Sequence, residues 1–312
     1  MIHVRAVSPS DVTPRLVQTL LANPGVLDVV VVEGAARGPD GDAVQFDVIA
    51  AEANHVLAHL RRLDLDRRGS IVIETVDTSI SDAATRAERA EPPGKDFTPI
   101  WEQVDSRMRA LGRYPPSWFL LMAIAGILAA VGILTNSQIL IVGAMIVGPE
   151  YGAIASMAIG INKGEHARVR QGLRALVVGF VLAILASFLF SLVVHGLDLQ
   201  PRAFDAGVRP VSDLINNPNF FSVVVAVLAG IVGVVSLAEA RANTLVGVFV
   251  SVTTIPAAAD IGVSAAFASW KELRGSLFQL LLNIVLLIVV GAIVFHFQRR
   301  LWHRFGRRSV SR

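Results

Sequence analysis

Two carboxylate residues stand inside long apolar stretches of this 312-residue chain. Glu150 follows Gly148-Pro149 near the middle of one stretch, and Asp260 follows Pro256 in a later one. A charge at the centre of a membrane costs at least about 2.5 kcal/mol, so such side chains usually face the interior and bind ions or carry protons. Because no lysine or arginine stands deep in any apolar stretch, the two carboxylates predict a site for protons, metal cations or a cationic solute.

Neutral polar side chains and helix-breaking residues accompany these carboxylates. Hydroxyl and amide oxygens could complete an ion site. The side chains concerned are those of Asn136, Ser137, Thr253, Thr254 and Asn283. Proline removes a backbone N–H and clashes with the preceding turn, so it predicts a break in a helix. The expected breaks lie at Gly148, Pro149 and Pro256, and backbone groups freed at that depth must be buried in protein or line a wet cavity.

Each of these features also has an alternative interpretation. Glu150 could complement the dipole of a helix that begins beside it, or be protonated and hydrogen-bonded in the interior. The prolines could produce kinks that have no function. A third alternative reverses the charge of the ligand, because helix N-termini at Pro149 and Pro256 could bind an anion.

The composition excludes several kinds of chemistry. The chain has no cysteine, which excludes disulfides, cysteine-based zinc sites and thiol catalysis. It also lacks a Walker loop, a His-Glu-x-x-His pair and a Gly-x-Ser-x-Gly sequence. We therefore predict no catalytic residue, no metal centre, no cofactor and no enzymatic activity. The basic residues cluster beside the apolar stretches, so the pI near 9.8 indicates membrane orientation and not a nucleic-acid partner.

The elements that would position such a site fall into two domains. Residues 1–80 are rich in charged residues and follow the order β-α-β-β-α-β, which predicts a ferredoxin-like α+β domain. Its predicted strands are Ile2–Ser8, Val26–Glu33, Ala43–Ala51 and Ser70–Val76, and its predicted helices are Val12–Asn23 and Asn54–Leu63. Such a domain could bind a small ligand, pair edge to edge with a second copy, or serve only packing and assembly.

Residues 117–297 are mostly apolar and predict an α-helical polytopic membrane domain. Each predicted transmembrane helix is long enough for a hydrocarbon core of roughly 30 Å. The six helices lie near residues 118–134, 139–161, 175–194, 220–238, 245–267 and 277–295. Residues 81–116 form a linker with an amphipathic helix at 98–111, and residues 298–312 form a basic tail. If both termini are cytoplasmic, most lysine and arginine residues beside the spans lie on the cytoplasmic side. This distribution predicts a multi-pass protein of the bacterial inner membrane with both termini in the cytoplasm.

The six predicted helices divide into two groups of three with the same layout. Pro149 aligns with Pro256 when the second helix is placed on the fifth, and Asn136-Ser137 then aligns with Asn243-Thr244. An odd number of spans inverts the second repeat, and inverted repeats with broken helices at the midplane are typical of secondary transporters. The pattern predicts a homo-oligomeric transporter or channel in the lipid bilayer for a small solute or ion, linked to a proton or cation. The rival prediction is a membrane-anchored sensor whose N-terminal domain binds a ligand.

A resemblance to a known family is carried by three segments, Asn136–Gly152, Val252–Ala259 and Gly275–Leu277. They resemble the bacterial DUF389 family of hydrophobic membrane proteins, and the resemblance covers roughly residues 100–295. It implies the polytopic architecture and no particular activity. The family often has asparagine where this chain has Asp260, so the resemblance places the expected ion binding mainly on Glu150.

Overall fold

The computed structural model describes residues 1–76, 79–90, 106, 109–238, 247 and 253–308. The chain divides into two compact units, Met1–Asp105 and Ser106–Arg312. The predicted amphipathic helix at 98–111 falls largely outside the described residues. Residues 245, 246 and 248–252 of the predicted span at 245–267 fall outside them as well.

The N-terminal unit is a small antiparallel sheet of four strands with helices. The strands are β1 (Ile2–Ser8), β2 (Val26–Arg37), β3 (Asp40–Val48) and β4 (Ser70–Thr75). The sheet order is β2-β3-β1-β4, and every neighbouring pair is antiparallel. The helices are α1 (Thr13–Leu21), α2 (Ala50–Arg62), α3 (Leu65–Arg68) and α4 (Asp82–Ala90). The predicted four-stranded sheet with helices is confirmed, and the short helix α3 is an addition to it.

Alternating burial along the strands builds the core of this unit. In β1, Ile2, Val4 and Ala6 are buried while the residues between them are more exposed, as the two-residue period of a strand requires. Strand β2 continues to Arg37, beyond its predicted end at Glu33, because it forms a hairpin with β3. Helices α1 and α2 contribute apolar side chains to the same core. Its largest buried side chains are Phe46, Leu16, Leu57, Leu60 and Leu65.

The buried carboxylate of Asp42 connects the β2–β3 hairpin, by hydrogen bonds, to the segment that follows β1. Its Oδ1 accepts hydrogen bonds from the backbone N–H of Gly34, at 2.8 Å, and from the hydroxyl of Ser10, at 3.2 Å. The Gly34 hydrogen bond lowers the pKa of Asp42 most, and side-chain hydrogen bonds from Thr13 and Ser10 lower this pKa further against the opposing effect of burial.

Asp42→Asn is expected to weaken the N-terminal unit at neutral pH. A carboxyl group whose pKa is lowered by folding adds stability above its unfolded pKa of about 3.9, and this stability is lost as the pH falls through the folded value. The variant should raise amide hydrogen exchange in β1 and β3 several-fold at pH 7, and the difference from wild type should shrink below about pH 4. The exposed Asp40→Asn is the matched control in the same hairpin. Equal exchange of Asp42→Asn and wild type at pH 7 would contradict this role.

The second unit is helical and largely apolar. Four of its described helices are long and apolar enough to cross a bilayer. They are α5 (Pro116–Leu134), α8 (His166–Gly196), α11 (Phe220–Ala238) and α13 (Trp270–Arg308). Helices α6 (Gln138–Val147) and α7 (Glu150–Lys163) meet the same criterion together and are bent by 50° where they join. The described residues therefore contain four spans, or five if the bent pair is one span, and the count of six stays a prediction.

Three shorter helices complete the described part of this unit. They are α9 (Arg202–Asp205), α10 (Pro210–Asn216) and α12 (Thr254–Ala266). Helices α9 and α10 lie within residues 196–218, which the sequence predicts only as a loop between the spans at 175–194 and 220–238, on the outer side when both termini are cytoplasmic. Helix α12 is the described part of the predicted span at 245–267.

Small residues let the helices of this unit approach closely, as is common in membrane proteins. A Cβ on Gly126 of α5 would lie 2.5 Å from the carbonyl oxygen of Ala183 in α8, and one on Gly262 of α12 would lie 2.6 Å from the carbonyl oxygen of Ile184. Helix α12 packs against α5, α8 and α13, while α7 packs against α8 and α13. Large apolar side chains remain exposed on the helix surfaces, as expected for contact with lipid. Examples are Leu120, Leu189, Phe278 and Leu281.

Candidate functional site

The helix of the second predicted span is broken at Gly148-Pro149. Helix α6 ends at Val147, Gly148 has an extended backbone with φ −64° and ψ 125°, and α7 begins at Glu150. The break leaves backbone N–H and C=O groups without hydrogen-bond partners in a helix. At membrane depth such groups need other hydrogen-bond partners within the protein. The indole N–H of Trp118 donates to the carbonyl oxygen of Pro149 at 3.2 Å and so satisfies one of them.

The other proline singled out by the sequence lies in the first turn of α12. This helix begins at Thr254, and Pro256 follows two residues later. The N–H groups of a first turn have no partner within the helix, so proline is tolerated there. The residues from 248 to 252 lie outside the described part of the chain, so the structure locates the start of α12 and not the end of a preceding half-helix.

The starts of α7 and α12 meet, although they are far apart in the sequence. The hydroxyl of Thr254, the first residue of α12, donates to Oε1 of Glu150, the first residue of α7, at 2.7 Å. Gly148 makes this approach possible. A Cβ at that position would lie 2.5 Å from Oε2 of Glu150 and 2.7 Å from Cγ1 of Ile255.

The carboxyl group of Glu150 is buried and only half satisfied. The residue is 5% exposed, and among the described residues its Oε2 has no hydrogen-bond partner. A buried acceptor without a partner costs about 1–3 kcal/mol, and more when the group is charged. A proton, a cation or a hydrogen-bond donor of a solute at Oε2 would remove that cost, so this oxygen is a candidate position for ligand binding.

A cluster of neutral polar side chains lies beside Thr254. The side-chain amides of Asn283 and Gln279 donate to the hydroxyl of Thr253 at 2.9 Å and 3.3 Å, and Gln279 also donates to Oδ1 of Asn283 at 3.3 Å. Gln279 is 3% exposed, and its Oε1 has no partner among the described residues. The sequence prediction included Thr253 and Asn283 but missed Gln279. Its spacing of four from Asn283 puts both amides on one face of a helix, and that spacing could have revealed it.

Asp260 belongs to a different cluster from Glu150. It lies six residues after Thr254, about 9 Å further along α12. Its Oδ1 accepts from the hydroxyl of Ser212 at 2.7 Å, and its Oδ2 accepts from the hydroxyl of Ser276 at 2.5 Å. Asp260 is fully buried, and both of its oxygens have partners. The structure therefore does not bring the two carboxylates into one hydrogen-bond network.

Asn136 and Ser137 lie at the opposite end of α6 from the break. Asn136 has a left-handed backbone with φ +51°, and its amide donates to the carbonyl oxygen of Val208 at 3.1 Å. The hydroxyl of Ser137 accepts from the backbone N–H of Leu140 at 3.4 Å and caps α6. These contacts describe a turn and a helix cap, and they do not join the cluster around Glu150.

Comparisons with known proteins agree with the resemblance seen in the sequence. Residues 145–289 match the family model of DUF389, a domain of unknown function, which confirms the predicted resemblance. An uncharacterized protein of Methanocaldococcus jannaschii is 21% identical over 176 residues, which are 56% of this chain and 52% of that protein. The chain thus spans about half the length of this relative. No solved structure matches the chain.

Proposed function

We propose that this membrane protein moves a small solute or ion across the bilayer and that Glu150 binds the proton or other cation linked to the movement. One observation carries the proposal. A buried carboxylate oxygen, Oε2 of Glu150, has no hydrogen-bond partner in the described part of the chain and lies where two helices begin, at a break in a predicted span. A side chain that served only to cap α7 would have its oxygens satisfied by the helix or by neighbours.

The packing of the helices supports two inverted halves around this site. In the first half, α7 packs against α13 of the second half, and the hydroxyl of its Tyr151 lies against Gly233 of α11. In the second half, α12 packs against α5 and α8 of the first half. Each short helix thus contacts long helices of both halves, which is compatible with a site at the interface of two inverted repeats. In this proposal residues 245–252 belong to the fifth of the six spans, the predicted span at 245–267.

The location and the assembly in this proposal are supported by the charge distribution of the sequence and by the sheet of the N-terminal unit. The charge distribution supports a bacterial inner membrane location with both termini in the cytoplasm. The strand order of the N-terminal unit supports a ferredoxin-like domain, whose edge strands β2 and β4 leave backbone groups free for pairing with a second copy. The assembly in this proposal is a homo-oligomer of this chain in the lipid bilayer.

The proposal predicts cation or proton flux that depends on Glu150. The wild-type protein and Glu150→Gln are reconstituted in liposomes, and the flux of H⁺, Na⁺ and K⁺ is recorded. Glutamine keeps the shape of the side chain and can still accept from Thr254, but its NH₂ group cannot bind a proton or a cation in place of Oε2. We expect the flux to fall at least about ten-fold in Glu150→Gln, since an ion site that loses its charge loses most of its affinity.

Glu165→Gln is the matched control for this experiment. The side chain of Glu165 is 40% exposed and pairs with Arg168 at 3.0 Å. Exposed ion pairs contribute little, about 0–1 kcal/mol, so this variant should keep the wild-type flux. Absence of flux from folded wild-type protein would overturn the proposal in favour of the sensor. Anion flux that is unchanged in Glu150→Gln would instead favour binding at the helix N-termini.

A further inference from the structure

The segment between α8 and α11 folds back onto the helical unit. We call residues 201–217, which contain α9 and α10, the outer segment, since the charge distribution predicts this side of the membrane to be outside. Helix α10 packs against α12 and α13. It buries four residues, Val211, Ser212, Ile215 and Asn216. Half of these residues are polar, so the contact depends on hydrogen bonds as well as on apolar packing.

The first attachment of the outer segment is the carboxylate of Asp260. Ser212 of α10 and Ser276 of α13 donate to its two oxygens, and the amide of Asn216 donates to the hydroxyl of Ser212 at 3.3 Å. Ser212, Asp260 and Ser276 are all at most 2% exposed. Three helices are therefore joined through one carboxyl group, and removal of either serine hydroxyl leaves a buried oxygen without its donor.

The second attachment is the guanidinium group of Arg209. Its Nη1 donates to Oε2 of Glu272 at 3.1 Å and to the hydroxyl of Ser269 at 2.8 Å. Its Cζ lies 4.1 Å from the centre of the Phe204 ring, in a cation–π contact within the outer segment. Glu272 and Ser269 lie at the junction of α12 and α13, so this contact holds the segment at the C-terminal end of α12.

We propose that the outer segment is a closure over the outer side of the transport pathway and that Asp260 is the latch that holds it shut. Asp260 acts as a positioning residue and not as an ion ligand. The inference rests on the proposed function. Helix α12 touches Glu150 through its first residue, and its remaining length extends from there to the two attachments of the outer segment. The outer segment thus covers the part of α12 that lies between the Glu150 site and this end of the bundle.

Hydrogen exchange tests the latch without reference to transport. In the full-length protein in lipid nanodiscs, Ser212→Ala should raise amide exchange of residues 201–217 at least about ten-fold over wild type, because the buried hydrogen bond to Asp260 is lost. Ser191→Ala is the matched control, since Ser191 is fully buried and its hydroxyl has no partner among the described residues. Exchange in Ser212→Ala equal to that of wild type would overturn the latch.

A cross-link tests the closure, and the chain has no cysteine of its own to interfere. Ser212→Cys and Ser276→Cys are combined, because both side chains converge on one carboxyl group and a short bis-thiosulfonate reagent spans them. We expect cross-linking to reduce cation flux in liposomes at least about ten-fold, with recovery on reduction, since a closure that cannot open blocks the pathway. The untreated double variant gives the reference flux, and the single Ser212→Cys variant should have the same flux before and after treatment with the reagent.

The outcomes separate this inference from the proposed function. Flux that depends on Glu150 but persists in the cross-linked variant would overturn the closure and leave the transport proposal standing. Absence of flux from wild-type protein would overturn both the transport proposal and the closure. In that case the exchange experiment still shows whether Asp260 holds the outer segment in place.

Discussion

Gly148→Val is expected to reduce ion flux through the reconstituted protein at least about ten-fold. A Cβ on Gly148 would lie 2.5 Å from Oε2 of Glu150 and 2.7 Å from Cγ1 of Ile255, well inside van der Waals contact. The valine side chain would occupy the place of the Glu150 carboxyl group and push α12 away from α7. The backbone of Gly148, with φ −64°, is open to any residue, so the effect would come from lost space and not from backbone strain.

The expected fall in flux brings it down to the level of Glu150→Gln, at least about ten-fold below wild type. A displacement of about 1 Å is enough to lower the rate of a process that depends on an accurately placed group such as the Glu150 carboxyl. Gly148→Ala should lie between wild type and Gly148→Val. Gly143→Val in α6, the helix that ends just before Gly148, is the matched control, since a Cβ there meets only Cδ2 of Leu128, at 3.8 Å. Wild-type flux in a folded Gly148→Val protein would remove Glu150 from the pathway.

Gly262→Val is expected to have the largest effect on the stability of the helical unit. A Cβ on Gly262 would overlap the hydroxyl of Ser187 and lie 2.6 Å from the carbonyl oxygen of Ile184 and 2.8 Å from the backbone nitrogen of Phe188. Two of these atoms belong to the backbone of α8, which cannot turn away as a flexible side chain can. Helices α8 and α12 would have to separate along their whole contact.

We expect the variant to lose roughly 3 kcal/mol of unfolding free energy, at the upper end of the usual cost of overpacking a well-packed interior. Thermal unfolding in detergent, followed by tryptophan fluorescence, should show a lower midpoint. The Gly143→Val variant again serves as control, because it adds the same side chain in a helix with room for it. An unchanged midpoint in Gly262→Val would mean that α8 and α12 are not packed as described.

Local patterns in the sequence predicted the four strands and the long apolar helices of this protein, but not the short helices α3, α9 and α10. The sequence predicted strand β1 at Ile2–Ser8, the bounds that the structure has, and its residues alternate in burial as a strand requires. Long apolar stretches predicted α5 and α11 nearly to their ends, because a helix satisfies its own backbone wherever a stretch must lie in lipid. Proline at position 149 predicted the break between α6 and α7, since the lost N–H and the steric clash act on neighbours in the chain.

The family resemblance favoured Glu150 over Asp260, but only the tertiary structure showed how the surroundings of the two carboxylates differ. By composition and position, Glu150 and Asp260 look alike, as each stands in an apolar stretch after a proline. Packing brings two serine hydroxyls to Asp260, one of them from a loop that the sequence predicted only as an outer connection. Packing brings a single hydroxyl to Glu150 and leaves its second oxygen without a partner among the described residues.

The physical reason is that a hydrogen bond joins whichever groups the fold brings together, at any separation along the chain. Thr254 meets Glu150 across 104 positions, and Ser212 meets Asp260 across 48. Residue type determines which side chains need a partner, and the sequence shows that directly. Which of them finds one depends on how α7, α10, α12 and α13 pack, and no local pattern in the sequence contains that information.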